Sequence, residues 1–251
     1  MGQFLEQLRQ GDTCRFGTWV KLPTLETLEL LAIAGFDFVV IDMEHAPHTF
    51  ETTYRCITGA QGMGMHALVR LPDSQGTYVQ RILDSGADGV LVPRVRSAEE
   101  ASQLMSGMLF GPQGSRGLGI TSRAGQWGLK STPDYVREGN EAVLRGVQLE
   151  DQAALRQADA ILDTSGVNAV FVGPGDLALS SGKPASHPEN ATLIDGLLAA
   201  AQQRGIPAGT AVGDAAAARQ AQARGFRFVM VSNDLSLFGK AATELVRAVK
   251  A

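Results

Sequence analysis

Short apolar runs alternate with longer amphipathic or alanine-rich segments along the chain. Several of these runs are apolar throughout, which is typical of strands that are buried on both faces of a sheet. We predict strands over residues 15–20, 36–42, 67–70, 89–93, 146–150, 169–173, 208–212 and 226–231.

The segments between these runs favour helices, predicted over residues 24–34, 75–85, 98–108, 191–204 and 214–224. Several end at a glycine that can take the left-handed conformation of a helix C-cap, namely Gly35, Gly86, Gly205 and Gly225. The alternation implies right-handed crossovers and a parallel sheet. Eight strands in 251 residues suit a (β/α)8 TIM barrel, so we predict an α/β fold with one domain over residues 1–251.

Composition narrows the class of protein. An apolar content of 44% with 19% charged residues is ordinary for a globular protein and excludes disorder as the main state. The net charge of −4 and the lack of a basic run argue against a nucleic-acid partner. No apolar stretch is long enough for a secretion signal or a membrane span, so we expect a cytoplasmic protein without a membrane partner.

Polar residues repeatedly follow the apolar runs, where a barrel of this kind places its active site. They are Asp42, Glu44 and His45 after the second run, Arg70, Arg94, then Gln148 and Glu150, and Asp176 after the sixth. Core strands do not require polar ends, so this coincidence indicates an enzyme. No glycine-rich nucleotide-binding loop is present, and a nucleotide cofactor therefore has no support.

Glu150 and Asp176 follow neighbouring strands, and two adjacent carboxylates repel unless a cation lies between them. A hard divalent ion such as Mg²⁺ or Mn²⁺ would resolve that repulsion. The competing interpretation is a pair of solvated carboxylates, or one carboxylate that pairs with Arg70 or Arg94.

His45 is a candidate general base because imidazole titrates near neutrality, although a structural histidine is the alternative. His48 is predicted to cap the following helix. Arg70 at a strand end needs an anionic or carbonyl partner, and Arg94 is an equal candidate on spacing alone. The glycines around Pro174 bring backbone amides close to a ligand beside Asp176, which suits a carboxylate.

Three motifs together resemble one family. The motifs are Glu44–Pro47 (E-H-A-P), Pro112–Gly117 (P-x-G-x-R-G) and Gly173–Leu177 (G-P-x-D-L), and shorter matches lie between them from about residue 15 to 240. The chain resembles the class II pyruvate aldolases of the HpcH/HpaI family, the metal-dependent hydroxyketoacid aldolases. The resemblance implies reversible cleavage of 4-hydroxy-2-oxo acids to pyruvate, or a related 2-oxo acid, and an aldehyde through a metal-bound enolate.

The resemblance also implies roles for particular residues. Glu150 and Asp176 would hold Mg²⁺, Mn²⁺ or Co²⁺, with no organic cofactor. Arg70 would stabilise the enolate, His45 would be the base through a metal-bound water, and Gln148 with the Gly175 amide and Asp176 would bind pyruvate. The family often has serine at position 175, so glycine removes a hydroxyl but keeps the amide.

The family also assigns a carboxylate partner for the histidine to the position of Asp84. From the residues alone Asp84 closes a helix on the opposite rim, so it would have to reach a neighbouring subunit's site. Asp42 is the competitor within the chain. The resemblance implies a homo-oligomer, with a hexamer favoured, in which the amphipathic segment 235–251 packs onto a neighbouring barrel. The alternative is an ordinary eighth helix.

Two other enzyme classes compete with this interpretation. A Schiff-base aldolase needs a lysine on a strand, and Lys21 is the candidate. A citramalyl-CoA or malyl-CoA lyase is the second, although those chains are usually longer. The irregular segment 110–133, with six glycines, is expected to take part in the aldehyde pocket.

Overall fold

The described part of the chain forms a closed barrel of eight parallel strands, which confirms the predicted fold. A computed structural model describes residues 3–10 and 13–251. The strands follow one another around the barrel in chain order, and β8 closes it by pairing with β1. They are β1 (Arg15–Val20), β2 (Phe38–Asp42), β3 (His66–Arg70), β4 (Gly89–Val92), β5 (Leu144–Leu149), β6 (Ala169–Val172), β7 (Ala208–Val212) and β8 (Phe228–Asn233).

Twelve α-helices accompany the strands in the described residues. They are α1 (Gln3–Gln10), α2 (Leu25–Ile33), α3 (Phe50–Gly62), α4 (Val79–Asp84), α5 (Ala98–Met108), α6 (Thr132–Glu141), α7 (Gln152–Arg156), α8 (Ala158–Leu162), α9 (Pro174–Ser181), α10 (Pro188–Gln203), α11 (Ala215–Ala223) and α12 (Asp234–Lys250). None of the helices in this part of the chain combines the length and the hydropathy needed to cross a membrane.

Two sequence-based expectations about helix starts are wrong. The predicted helix over 75–85 begins only at Val79, because Gly76 takes a left-handed φ of 74° that no α-helix accommodates. His48 does not cap α3. Thr49 does, since its hydroxyl accepts the backbone N–H of Thr52 at 3.2 Å.

Alternate residues of each strand face the barrel interior, where an apolar cluster fills the end opposite the carboxyl ends of the strands. Helix α1 completes this cluster from below with Phe4, Leu5 and Leu8, all of which are buried. The Phe4 ring lies 5.1 Å from that of Phe38. Because side chains fill the barrel interior at this end, we look for a site inside the barrel at the carboxyl ends of the strands.

Candidate active site

The last residues of β2 and β3 form an ion pair at the carboxyl end of the barrel. Asp42 and Arg70 are paired in the register of these two strands. Each lies two residues beyond an interior-facing residue, Val40 and Leu68 respectively, and so continues the interior face. Arg70 Nε donates to Asp42 Oδ1 at 2.9 Å and Nη2 donates to Oδ2 at 2.7 Å. The guanidinium also lies over the Trp19 ring, 4.2 Å from its centroid. These contacts fix the plane of the guanidinium, as bidentate geometry does.

Asp42 is completely buried and has other hydrogen-bond partners besides Arg70. Its Oδ2 accepts Lys21 Nζ at 2.5 Å, and its Oδ1 accepts the backbone N–H groups of Glu44 and His45, each at 3.1 Å. Burial alone would raise the pKa of Asp42, but Arg70 and Lys21 outweigh it and hold that pKa well below its usual range. Asp42 therefore binds the His45 backbone and does not meet the His45 ring.

Glu44 is the carboxylate nearest to the His45 ring. Its Oε2 lies 3.7 Å from His45 Nε2 and 3.2 Å from Arg70 Nη1, and its Oε1 lies 3.3 Å from Arg94 Nε. The Glu44 side chain is nearly buried, whereas that of His45 is 58% exposed. Sequence reasoning placed Glu44 near His45 but missed its contacts with Arg70 and Arg94. These contacts join the end of β2 to the ends of β3 and β4, which lie far apart along the chain.

Gln148 and Glu150 stand together at the end of β5. Gln148 Nε2 donates to Glu150 Oε1 at 3.1 Å, and the backbone N–H of Arg94 donates to Glu150 Oε2 at 3.1 Å. Burial, then the charges of Asp176 and Glu44, raise the pKa of Glu150 to about 7 against the opposing effect of Arg70. The buried Gln148 Oε1 has no hydrogen-bond partner in the described chain.

Asp176 and Gly175 lie in the first turn of α9. Gly173 is the N-cap residue and Pro174 follows it, so no side chain caps the first N–H groups of this helix. The N–H groups of such a first turn are free to bind an anion. A Cβ on Gly173 would approach Glu150 Cγ to 2.8 Å, whereas one on Gly175 would meet nothing within 4 Å. Position 173 therefore requires glycine, whereas position 175 has room for a larger side chain.

The donor set suits a divalent cation. In residues 3–10 and 13–251, no three His, Cys, Asp or Glu side chains are grouped as metal ligands. A small hard ion needs only one or two protein carboxylates, with water and substrate completing its coordination. Glu150 and Asp176 repel each other, and the unpartnered Gln148 oxygen lies beside Glu150. These residues fit such an ion, which Glu150 and Asp176 would hold.

Asp84 lies apart from these side chains. It ends α4, where Arg116 Nη2 donates to its Oδ1 at 2.7 Å and the Tyr135 hydroxyl donates to the same oxygen at 3.0 Å. No contact joins it to His45 in the part of the chain that the structure describes. Its proposed role beside the histidine therefore requires a second subunit.

A barrel with an arginine, an amide and carboxylates at the carboxyl ends of its strands is typical of an enzyme, and comparison gives the family. The profile of the HpcH/HpaI aldolase/citrate lyase family matches residues 15–241. The chain is 36% identical over 241 residues to 2-keto-3-deoxy-L-rhamnonate aldolase from Salmonella gallinarum (strain 287/91 / NCTC 13346), covering 95% of this chain and 89% of that protein.

Two solved structures agree with this result. An HpcH/HpaI aldolase/citrate lyase family protein from Burkholderia cenocepacia J2315 superposes with a TM-score of 0.91 at 32% identity over 100% of both chains. The HpcH/HpaI aldolase from Desulfitobacterium hafniense DCB-2 gives 0.91 at 29% identity, over 98% of this chain and 96% of that one. The chain belongs to the HpcH/HpaI aldolase/citrate lyase family.

Proposed function

We propose that this aldolase cleaves 4-hydroxy-2-oxo acids to pyruvate and an aldehyde, using Arg70 and His45 with a divalent cation held by Glu150 and Asp176. The observation that carries the proposal is the Arg70 guanidinium, which is buried, oriented by Asp42 and close enough for its charge to act on Glu150. Family membership supports the class of reaction.

Arg70 keeps N–H donors for a substrate. A guanidinium has five, of which Asp42 accepts two, while Glu44 forms an ion pair with Nη1. The remaining donors suit the keto oxygen of a 2-oxo acid, on which negative charge develops as the carbon–carbon bond breaks. Because these donors are oriented before the reaction, they stabilise the charge without reorganisation.

The substrate carboxylate fits the first turn of α9. The Gly175 and Asp176 amides supply donors there, and the helix dipole favours a negative group. The unpartnered Gln148 Oε1 can only accept a hydrogen bond or ligate a cation, so it would serve the substrate away from this carboxylate. A divalent ion at Glu150 and Asp176 would polarise the keto group and attract the charge that develops on it.

His45 is the proton acceptor in this proposal. In cleavage it takes the proton of the C4 hydroxyl, the C3–C4 bond breaks, and its electron pair passes to the enolate of pyruvate as the aldehyde leaves. A proton then returns to C3 and gives the methyl group of pyruvate. Glu44, 3.7 Å from His45 Nε2, is placed to stabilise the charged imidazolium.

Metal removal tests the proposal. Dialysis against EDTA should abolish pyruvate release from a panel of 4-hydroxy-2-oxo acids, and Mg²⁺, Mn²⁺ or Co²⁺ should restore it. Calorimetry with Mn²⁺ should show binding to the wild type and none to Glu150→Gln or Asp176→Asn, with unchanged circular dichroism. Full turnover after exhaustive chelation would contradict the metal assignment.

The Schiff-base alternative is disfavoured by the position of Lys21. Its Nζ donates to the buried Asp42 at 2.5 Å, so the nitrogen is held in an ion pair and is not directed at a substrate carbonyl. Borohydride with pyruvate should leave Lys21 unmodified. A CoA thioester substrate is the remaining alternative, and malyl-CoA and citramalyl-CoA belong in the same substrate panel.

We further propose a homo-oligomer, with a hexamer favoured, and Asp84 of one subunit as the carboxylate beside His45 of the next. The exposed apolar side of α12 supports contact between copies. A cytoplasmic location accompanies this proposal.

A further inference from the structure

Lys21 is a largely buried side chain that the proposed reaction does not use. It directly follows β1, and its side chain is 19% exposed. Its Nζ donates to Asp42 Oδ2 at 2.5 Å and to the backbone carbonyl oxygen of His45 at 3.4 Å. One side chain therefore joins the end of β1 to the loop that carries the proposed proton acceptor.

Asp42 does not need Lys21 to satisfy its carboxylate. Arg70 donates two hydrogen bonds to its oxygens and supplies a balancing charge. The backbone N–H groups of Glu44 and His45 donate two more. Ordering a long lysine side chain costs conformational entropy, and a buried ion pair is weak evidence for stability. Stability alone therefore does not explain why Lys21 makes this contact.

The position of Lys21 is itself fixed from two sides. The buried Asp234 at the start of α12 accepts the backbone N–H groups of Lys21 and Leu22 on its Oδ2, at 2.9 and 2.8 Å. The residue before Lys21 is Val20, whose carbonyl oxygen lies 3.2 Å from His48 Nε2. Lys21 is therefore a rigid anchor for the loop between β2 and α3.

His45 depends on this anchor, because its side chain has few contacts of its own. The side chain is 58% exposed, and Glu44 Oε2 lies 3.7 Å from its Nε2. The His45 backbone is held on both sides, since its N–H donates to Asp42 and its carbonyl oxygen accepts from Lys21. A general base must lie within hydrogen-bond reach of its proton, and a displacement of about 1 Å can cost about 10²-fold in rate.

We propose that Lys21 is a positioning residue that acts through the His45 backbone and holds the proton acceptor in place before the substrate binds. It forms no bond with the substrate. Arg70 does not rely on Lys21, because two hydrogen bonds to Asp42 and the stacking on Trp19 fix its guanidinium. This inference rests on the proposed function and goes beyond it.

The test separates the chemical step from the binding of pyruvate. Exchange of the methyl protons of pyruvate is followed by proton NMR with Mg²⁺ present. Lys21→Met should lower kcat for this exchange by about 10- to 100-fold. The KM for pyruvate should change by less than about twofold, because Lys21 contacts none of the residues proposed to bind it.

Two further variants at the same position show which property of Lys21 matters. Lys21→Arg keeps a long cationic donor for Asp42 and the His45 carbonyl, so it should recover most of the rate. Lys21→Gln is polar but shorter and neutral, and it should lose rate as Lys21→Met does. Circular dichroism should be unchanged in all three variants, because Arg70 still balances the charge of Asp42.

A double-mutant cycle with His45→Ala shows whether Lys21 acts through His45. Once the proton acceptor is absent, its position no longer matters. Lys21→Met should therefore slow the residual exchange of His45→Ala by less than about twofold. An equal loss in the wild-type and His45→Ala backgrounds would show that Lys21 acts elsewhere, and it would overturn the proposal.

Lys183→Met is the matched control. Lys183 also forms an ion pair, with Glu189 at 2.7 Å, but its side chain is 43% exposed and lies outside the proposed site. This variant should keep the wild-type kcat and KM.

The outcomes distinguish this inference from the proposed function. If the wild type exchanges the methyl protons and Lys21→Met keeps its kcat, the role of Lys21 is wrong and the aldolase proposal stands. The same holds if the whole effect of Lys21→Met lies in KM. If the wild type neither exchanges these protons nor cleaves any hydroxy-oxo acid, the proposed function is wrong and the inference falls with it.

Discussion

Arg70 shows how one buried side chain can be both structural and chemical. Two of its donors bind Asp42 and its Nη1 pairs with Glu44, and these contacts orient the donors that remain. Removal of the whole side chain would leave Asp42 buried with Lys21 as its one remaining cation, so an alanine variant mixes stability with activity. A lysine variant separates them.

We expect Arg70→Lys to keep the fold and to lose about 10²–10³ in kcat for aldol cleavage. Lysine preserves the positive charge next to Asp42 but cannot supply the oriented donors of the guanidinium. Steady-state kinetics and circular dichroism measure the two effects. Arg55→Lys on the exposed side of α3 is the control, and equal activity of both variants would show that Arg70 does not act on the substrate.

The two histidines of the β2–α3 loop give a second prediction. His45→Ala should slow both exchange of the pyruvate methyl protons and aldol cleavage by about 10²–10⁴, as loss of a general base does. His48→Asn should affect both far less, because the His48 ring is buried, with its Nε2 3.2 Å from the Val20 carbonyl oxygen. The reverse ranking, measured by proton NMR, would move the base to His48.

At the scale of single residues, the sequence predicted which residues lie at the carboxyl ends of the strands. It predicted their side-chain partners less well. Arg70, Gln148 and Glu150 follow from their places at strand ends, and all three lie together. The pairing of Arg94 with Glu44 was not predicted from the sequence, because it depends on the positive φ of Arg94, which a non-glycine residue rarely adopts. The expected contact of Asp84 with the histidine lies between subunits and stays a prediction.

At the scale of elements, Asp88 connects α3, β3 and β4 at the closed end of the barrel. It immediately precedes β4 and is 4% exposed. Its Oδ2 accepts the Ala67 backbone N–H at 2.9 Å and Gln61 Nε2 at 2.8 Å, and His66 Nδ1 lies 3.7 Å from its Oδ1. Burial raises the pKa of Asp88, but these hydrogen bonds outweigh it, and the pKa is lowered overall.

A lowered pKa in the folded state sets the sign of a pH effect. The contribution of Asp88 to stability is present above about pH 4, the ordinary range of an aspartate, and is lost as the pH falls through the folded-state value. Asp88→Asn should therefore lower the free energy of unfolding by about 1–3 kcal/mol near neutral pH and by less in acid. Urea denaturation across the pH range measures both effects.

The control for this prediction is Asp195→Asn, because Asp195 is exposed and pairs only with Arg224 at the surface. It should change the free energy of unfolding little at any pH. A parallel offset of the Asp88→Asn curve at every pH would mean that packing and not charge explains the loss.

Elements were predicted well where their pattern was long or continuously apolar. Helix α5 has the predicted bounds, and β5 begins two residues earlier than expected, at Leu144. Helices α7 and α8 escaped notice because five residues are too short for a helical period to appear. Helix α3 contains glycines and β-branched residues that favour helix weakly, so tertiary packing determines it.

At the scale of the molecule, α12 leaves its apolar residues uncovered. Of its 17 residues only Asp234 is buried, while Phe238 and Leu245 are 72% and 67% exposed. Helix α2 adds Leu30 and Ile33, 67% and 82% exposed. An ordinary eighth helix would cover such residues against its own barrel, so this pattern supports contact between copies.

We expect sedimentation to show an oligomer at micromolar protein, with a hexamer favoured. Phe238→Lys combined with Leu245→Lys should shift it toward smaller species, because burying two charges in an apolar contact is unfavourable. Lys240→Glu, on the other side of the same helix, should keep the oligomer. A wild-type monomer at these concentrations would contradict the prediction.

The pairing of β1 with β8 has a consequence for synthesis on the ribosome. Strand β1 finds its second neighbour only at residues 228–233, after β2 to β7 have all been synthesised. Until then β1 exposes one open edge, and the apolar residues of α1 have no closed barrel end to fill. The nascent chain therefore carries an unpaired strand edge and an uncovered apolar helix face until β8 emerges, and both favour aggregation.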